Sequence, residues 1–435
     1  MKLRKGLYRI VLCLVFLTVF GACLDELEID TLGEEDASPA LVVEAVFTDE
    51  LITQKVYLSR SSLRLDLETD TVYNPYIPLG SRPIDSVDME GGATVRLLGD
   101  DGVTYQFTEG EEGVYLSNQP FALQMGVGYT LDISTRNGLE YESDPLLVEG
   151  RSQLTNVYAE RTLSDSGEDG VAIYVDSEPQ EGNTQFYRFA YEETYKVVAP
   201  DWRPIDFELT GYDNSVYPPL FNLDIVQREV QNRICYNTVP STSIEQISTA
   251  GSPDRNISKQ MVRFISKENF IISERYSILV QQQVQSADAY SFYETLKSFS
   301  QSENIFSQVQ PGALYANVHR KDGSNENVLG YVEAVGVSDQ RLFFNFDDFF
   351  ADEELPQFPF NCSPMTARIY NSPPPPSCPE DLLSRLDKGT VTYYEAYDEA
   401  LVPNASCPGP YVFVPRICGD CTLLGSNVEP DFWVE

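Results

Sequence analysis

Eight cysteines and a single histidine bound the covalent and acid–base chemistry available to this 435-residue chain. Cys23 stands apart from the rest. It follows a basic start (Lys2, Arg4, Lys5, Arg9), an apolar run from Ile10 to Phe20, and the small pair Gly21-Ala22. That order reads as a secretion signal with a small-residue cleavage site. Cutting before Cys23 would leave a thiol to carry diacylglycerol and a free amine to carry a further acyl chain such as palmitate. Lipidation is therefore the chemistry expected at Cys23. The apolar run has 11 residues, too few to span a bilayer as a helix, so the expected attachment is a lipid anchor.

Six further cysteines follow: Cys235, Cys362, Cys378, Cys407, Cys418 and Cys421. In an exported chain they are disulfide candidates, with 15 possible connectivities among six. Five lie in the C-terminal segment. If all six pair, Cys235 must join one of those five and staple that segment to the middle of the chain. Cys418-Gly419-Asp420-Cys421 has C-x-x-C spacing. A redox pair needs an exposed, low-pKa cysteine at a helix N-terminus in a βαβ setting, and the short Gly- and Pro-containing tail after Cys421 does not supply one. A structural disulfide role is expected instead. A cysteine zinc site fits the spacing but not an oxidising compartment.

His319 sits in Asn317-Val318-His319-Arg320-Lys321-Asp322-Gly323, read as an exposed polar loop. A Ser–His–acid triad would need it, and no G-x-S-x-G elbow is present. The acidic runs Asp347-Asp348 and Asp352-Glu353-Glu354 lie among Phe346, Phe349, Phe350 and Phe358. They lack the D-x-D-x-D-G pattern of a calcium loop, and their aromatics are read as facing the core. No pair among the 67 acidic residues stands out as a glycosidase dyad. The expectation is a non-enzyme with no cofactor and no metal.

The formal charge of −37 excludes nucleic acid as a partner, because a strong polyanion is repelled by phosphate. Removing residues 1–22, with four basic and no acidic residues, makes the remainder more negative still. An aromatic content of 12% is too high for a disordered chain and requires a packed core.

These groups need a scaffold, and its elements read as strands. Residues 24–39 are acidic and aperiodic, a tether between lipid and first domain. From Ala40 the period becomes two. Strands are expected at 41–47, 54–59, 94–98, 103–107, 113–116, 129–133 and 141–143, with Gly and Asp turns between them. This reads as an immunoglobulin-like β-sandwich over about 40–150, in which Tyr129 either ties a loop through its hydroxyl or simply packs in the core. A larger β-rich domain over about 151–435 follows. Its strands are expected at 171–175, 186–191, 276–280, 328–334 and 341–345. One helix is expected near 286–301, capped by Ser286, with Asp288 in its first turn and Ala289, Phe292, Tyr293, Leu296 and Phe299 on one face. The tail, including Pro373 to Pro376, depends on disulfides for order. The fold class is all-β.

Taken in order, these features resemble the Bacteroidota lipoprotein family catalogued as domain of unknown function 4249. The resemblance rests on the segment ending at Cys23, on Leu41-Val42-Val43-Glu44-Ala45, Gly128-Tyr129-Thr130-Leu131-Asp132-Ile133 and Ile234-Cys235-Tyr236-Asn237. It also rests on the helix with Tyr290, Phe292 and Tyr293, on Val328-Leu329-Gly330-Tyr331, and on Cys418-Gly419-Asp420-Cys421 followed by Pro430-Asp431-Phe432-Trp433. Tyr236 stands where the family more often has Trp. Asp25 and Glu26 resemble the surface-export signal of such lipoproteins, although an ordinary solvated linker also accounts for them. Asp30-Thr31-Leu32, Asp70-Thr71-Val72 and Asp85-Ser86-Val87 match the short O-glycosylation pattern of that phylum at Thr31, Thr71 and Ser86. The resemblance implies a surface-exposed, lipid-anchored protein of the outer membrane. It also implies an accessory or ligand-binding role beside a TonB-dependent β-barrel transporter, and it supplies no catalytic residues. The alternatives are a structural or adhesive surface protein and a surface hydrolase.

Overall fold

Alternation of apolar and polar side chains drives the first strand, β1 (Leu41–Thr48), to place Leu41, Val43, Ala45 and Phe47 on a buried face and Glu44 on the other. The computed structural model describes residues 39–61, 88–252, 255–301, 316–324, 328–371 and 380–435. Cys23, Thr31, Thr71, Ser86, Cys378, the acidic tether and the run Pro373 to Pro376 lie outside the described residues, as does the side chain of Phe299.

The same alternation recurs in β2 (Lys55–Arg60), β4 (Thr94–Gly99), β5 (Thr104–Glu109), β6 (Val114–Ser117), β7 (Tyr129–Ser134) and β8 (Glu140–Ser143), with the two-residue β3 (Asp88–Met89) beside β2. Their inward residues form the first core, around Leu41, Phe47, Leu58, Leu97, Tyr115, Tyr129 and Tyr141. Fully burying an apolar side chain of this size contributes about 1.5–3 kcal/mol. Tyr129 serves both roles the sequence left open: its ring is buried, and its hydroxyl accepts from the Gln124 backbone N–H at 2.9 Å.

The strands that follow are longer than their apolar stretches indicate. They are β9 (Gly150–Leu163), β10 (Asp169–Gly182), β11 (Phe186–Val198), β12 (Ile205–Asp213), β13 (Leu220–Gln227), β14 (Ile234–Pro240), β15 (Glu245–Ser248), β16 (Ile257–Ser266) and β17 (Tyr276–Gln285). The helix Ala287–Gln301 comes next. Ser286 caps it, its Oγ accepting from the Ala289 N–H at 3.1 Å, and Ala289 and Phe292 are buried against Tyr331. No helix among the described residues is long and apolar enough to cross a membrane.

Two sequence expectations change at this point. His319 does not lie in a loop. It is the middle residue of β18 (Val318–Arg320), which pairs with β8. A three-residue strand carries too little alternation to be read, and it forms because Val318 is buried in the first core. The segments 328–334 and 341–345 are not two strands. One strand, β19 (Val332–Phe344), runs through both, and residues before it make only an isolated bridge between Leu329 and Val42. Gly330 breaks the strand there, with φ +85 and its α-carbon so close to the Val43 carbonyl that a Cβ would lie 2.2 Å from that oxygen. The polar stretch Ser338-Asp339-Gln340 stays extended because β17 pairs with it.

β19 is the seam of the molecule. Over Val332–Val335 it pairs parallel with β1, and over Gly336–Phe344 it pairs antiparallel with β17. The resulting sheet runs β14-β11-β17-β19-β1-β2-β6-β5-β4-β7-β8-β18, with β15 on β11 and β3 on β2. Val332 and Ala334 belong to the first core, whereas Phe344 belongs to a second. That second core lies between β11, β17 and β19 on one side and the β16-β10-β9 sheet on the other.

The C-terminal segment is not merely held by disulfides. β20 (Met365–Thr366), β21 (Val391–Ala396) and β22 (Tyr411–Pro415) form a small sheet, and Leu382, Phe413, Val414 and Ile417 are buried.

Candidate functional site

Opposite the two cores, the long sheet carries a polar face. On β11, Tyr187 and Phe189 point to the second core, so Arg188 projects the other way. On β19, Val332 and Ala334 face the first core, which sends Glu333 to the same side as Arg188. On β17, Ile278, Val280 and Val284 face the second core, leaving Gln281 and Gln283 beside Arg188. Period-two geometry alone sorts these residues.

They form a connected network. Arg188 Nη2 lies 2.7 Å from Glu333 Oε1, and both side chains are almost fully buried. Arg188 also donates to Gln283 Oε1 from Nε at 2.9 Å and Nη2 at 2.7 Å. Gln285 Nε2 donates to Glu333 Oε2 at 2.9 Å, and Gln246 Nε2 donates to Gln285 Oε1 at 2.7 Å. The Tyr293 ring from the helix covers the guanidinium, whose central carbon is 3.9 Å from the ring centroid. Burial alone would lower the Arg188 pKa, but Glu333 and Tyr293 outweigh it and the pKa is raised. Burial, with Glu333 adding to it, pushes the Tyr293 phenol well up. Both groups hold their ordinary protonation state firmly.

A cleft of about 480 Å³ opens over this network, within the range of small-molecule sites. Glu44, Val46, Lys55, Tyr57, Gln281 and Tyr293 are among its lining residues. Gln54 also lines it, but its amide is committed to Thr48, Glu50 and Phe121 and serves the scaffold. The available chemistry is hydrogen bonding and ring stacking. Arg188 falls within the strand read at 186–191, but the sequence gives no sign that Glu333 is its partner, 145 positions away.

The residues singled out in the sequence lie elsewhere. Cys235 is bonded to Cys421 with Cα atoms 5.6 Å apart, and Cys362 to Cys418 at 5.7 Å. The two cysteines of the C-x-x-C thus go to different partners and do not form a redox pair. Cys407 is also disulfide-bonded. Asp201 comes close to Cys362 and Cys418, but a disulfide offers no thiolate to a metal. His319 is half exposed, with Nε2 3.6 Å from Glu142 Oε1 and Nδ1 3.7 Å from Asp144 Oδ1. Phe346 and Phe350 are buried in the second core, and Glu353 of the acidic run pairs with Arg161 and Lys267 at 2.7 and 2.5 Å.

A family model described as "Domain of unknown function (DUF4249)" matches residues 25–341. That span holds every residue of the Arg188 network and its cleft, together with Cys235. No curated protein matches the chain.

Proposed function

Because the chain belongs to the DUF4249 family, with residues 25–341 matched, we propose that it is a non-enzymatic lipoprotein of the outer-membrane surface. In this reading it is an accessory or ligand-binding partner of a TonB-dependent β-barrel transporter. The observation that carries the reading is the placement of Cys23. It closes a basic and apolar leader, and the family match over residues 25–341 opens two residues beyond it, which supports a leader that lies outside the shared part. Lipid at Cys23 anchors the N-terminus. The acidic tether of residues 24–39 reaches at most roughly 50–60 Å when extended, which keeps the folded part near the bilayer. Its negative charge disfavours contact with anionic headgroups and favours a protein neighbour.

The test is recovery from membranes. Metabolic labelling with palmitate is expected to mark the wild type and not Cys23→Ala. A mild-detergent pulldown of the native protein is expected to bring down a large outer-membrane barrel. Recovery of the lipidated protein alone would leave a structural or adhesive surface role. Absence of label on Cys23 would refute the anchor itself.

A further inference from the structure

We infer that the cleft over Arg188 is a binding site for a neutral saccharide. The argument begins with the direction of its hydrogen bonds. A guanidinium only donates, so the Gln283 atom facing Arg188 Nε and Nη2 must be the carbonyl oxygen. That fixes the Gln283 amide, whose NH2 then donates to Gln281 Oε1 at 2.9 Å. Gln281 is fixed in turn: its oxygen is engaged, and its NH2 donates to no described residue. The pair Glu333–Arg188 thus orients two successive amides and leaves a donor at the cleft wall. Such chains polarise one another and strengthen the terminal donor.

The remaining lining completes a mixed set. Lys55 adds a donor and Glu44 an acceptor, while Tyr57, 42% exposed, offers an aromatic ring. Sugar hydroxyls both donate and accept, and the C–H face of a pyranose stacks on an aromatic ring. The charges of the cleft balance: Glu44 against Lys55 in its lining, and Arg188 against the buried Glu333 behind it. A neutral ligand therefore meets no net local charge. An extended peptide fits less well. β11 and β17 are paired along both edges, so the floor beneath Arg188 and Gln281 offers no open backbone edge for strand addition.

This inference concerns the ligand and does not rest on the barrel partnership. The experiment uses the full chain with its disulfides intact, in a detergent without a sugar headgroup. It is screened on an array of neutral oligosaccharides (maltotriose, cellotriose, xylotriose, mannotriose and chitotriose among them), and hits are measured by titration calorimetry. Saturable binding is expected, weakened about tenfold or more by Gln281→Ala and by Tyr57→Ala, and unchanged by His319→Ala. Both cleft variants alter accessible side chains and should keep the wild-type melting profile. Failure of every neutral glycan, preference for charged glycans or peptides, or binding that survives both variants would overturn the assignment. The barrel pulldown is expected to be unaffected by either variant, so failure of one reading leaves the other standing.

Discussion

Arg188 and Glu333 show how two ionic side chains are tolerated inside a β protein. Each is desolvated, and each is compensated by the other and by amides placed around them. Such a pair contributes little net stability compared with apolar packing, but removing one partner leaves a buried charge exposed to its full desolvation penalty. Arg188→Met is therefore expected to lower the unfolding free energy by about 3–5 kcal/mol in urea titrations. The double variant Arg188→Met/Glu333→Leu should recover much of that loss, and strictly additive losses would show that the pair is uncoupled. A second ionic cluster is acid-sensitive. Hydrogen bonds from Lys267 and then Arg161 hold the Glu353 carboxyl below its usual range, and Arg161 does the same for Asp169. A depressed folded-state pKa contributes stability above the unfolded value of about 4, and that contribution disappears as the pH falls through the folded pKa. Carboxyl titrations by NMR should show both groups ionising below ordinary Asp and Glu, and Arg161→Ala should move both upward.

At the level of elements, β19 decides the architecture. Its N-terminal end pairs with β1 and its remainder with β17, so the first core draws on residues nearly 300 positions downstream of its first strand. Gly330 sets the approach to that pairing, because only a residue without Cβ fits against the Val43 carbonyl at positive φ. Gly330→Ala is expected to cost about 1–3 kcal/mol, read as a lower melting temperature. The same substitution at Gly102, whose Cβ would meet nothing within 4 Å, should cost less. On the helix Ala287–Gln301, Ser286→Ala removes a cap worth about 1 kcal/mol. Phe292→Ala removes a buried ring and should cost about 3–5 kcal/mol, so packing on Tyr331 rather than capping dominates the stability of that helix.

For the whole molecule, the Cys235–Cys421 disulfide joins the family-matched part to the C-terminal segment across 186 positions. Closing a loop of that length removes about 5 kcal/mol of unfolded-chain entropy, and the 56-position loop of Cys362–Cys418 about 4 kcal/mol. The bonds do not act alone. Trp433 packs on Tyr236 and Phe343, and Arg341 stacks on Phe432 at 3.5 Å. Cys235→Ser/Cys421→Ser is expected to lower stability substantially while leaving the segment docked at low temperature. Limited proteolysis across a thermal ramp should therefore cut the C-terminal segment of the variant well below the temperature at which the β1–β19 sheet melts. Simultaneous loss of both would mean that the segment and the sheet unfold as one cooperative unit.

Local chemistry made much of this chain legible in one dimension. Alternation marked the short strands of the first sandwich, because each has one wet face and one dry face. Ser286 and its apolar spacing marked the helix, because capping and amphipathicity are local. The cysteines announced that the C-terminal segment would be tied down. Other features could not be read this way. β19 reads as two fragments because its polar middle owes its conformation to β17 rather than to its own side chains. The small sheet of β20, β21 and β22 is interrupted by long connections that hide its period. The cleft depends on Arg188, Gln283 and Glu333 meeting on one sheet face, and strand order and register are set by the packing of both cores together. Which polar residues are buried, and with whom, is a property of that packing, and only the tertiary structure decided it.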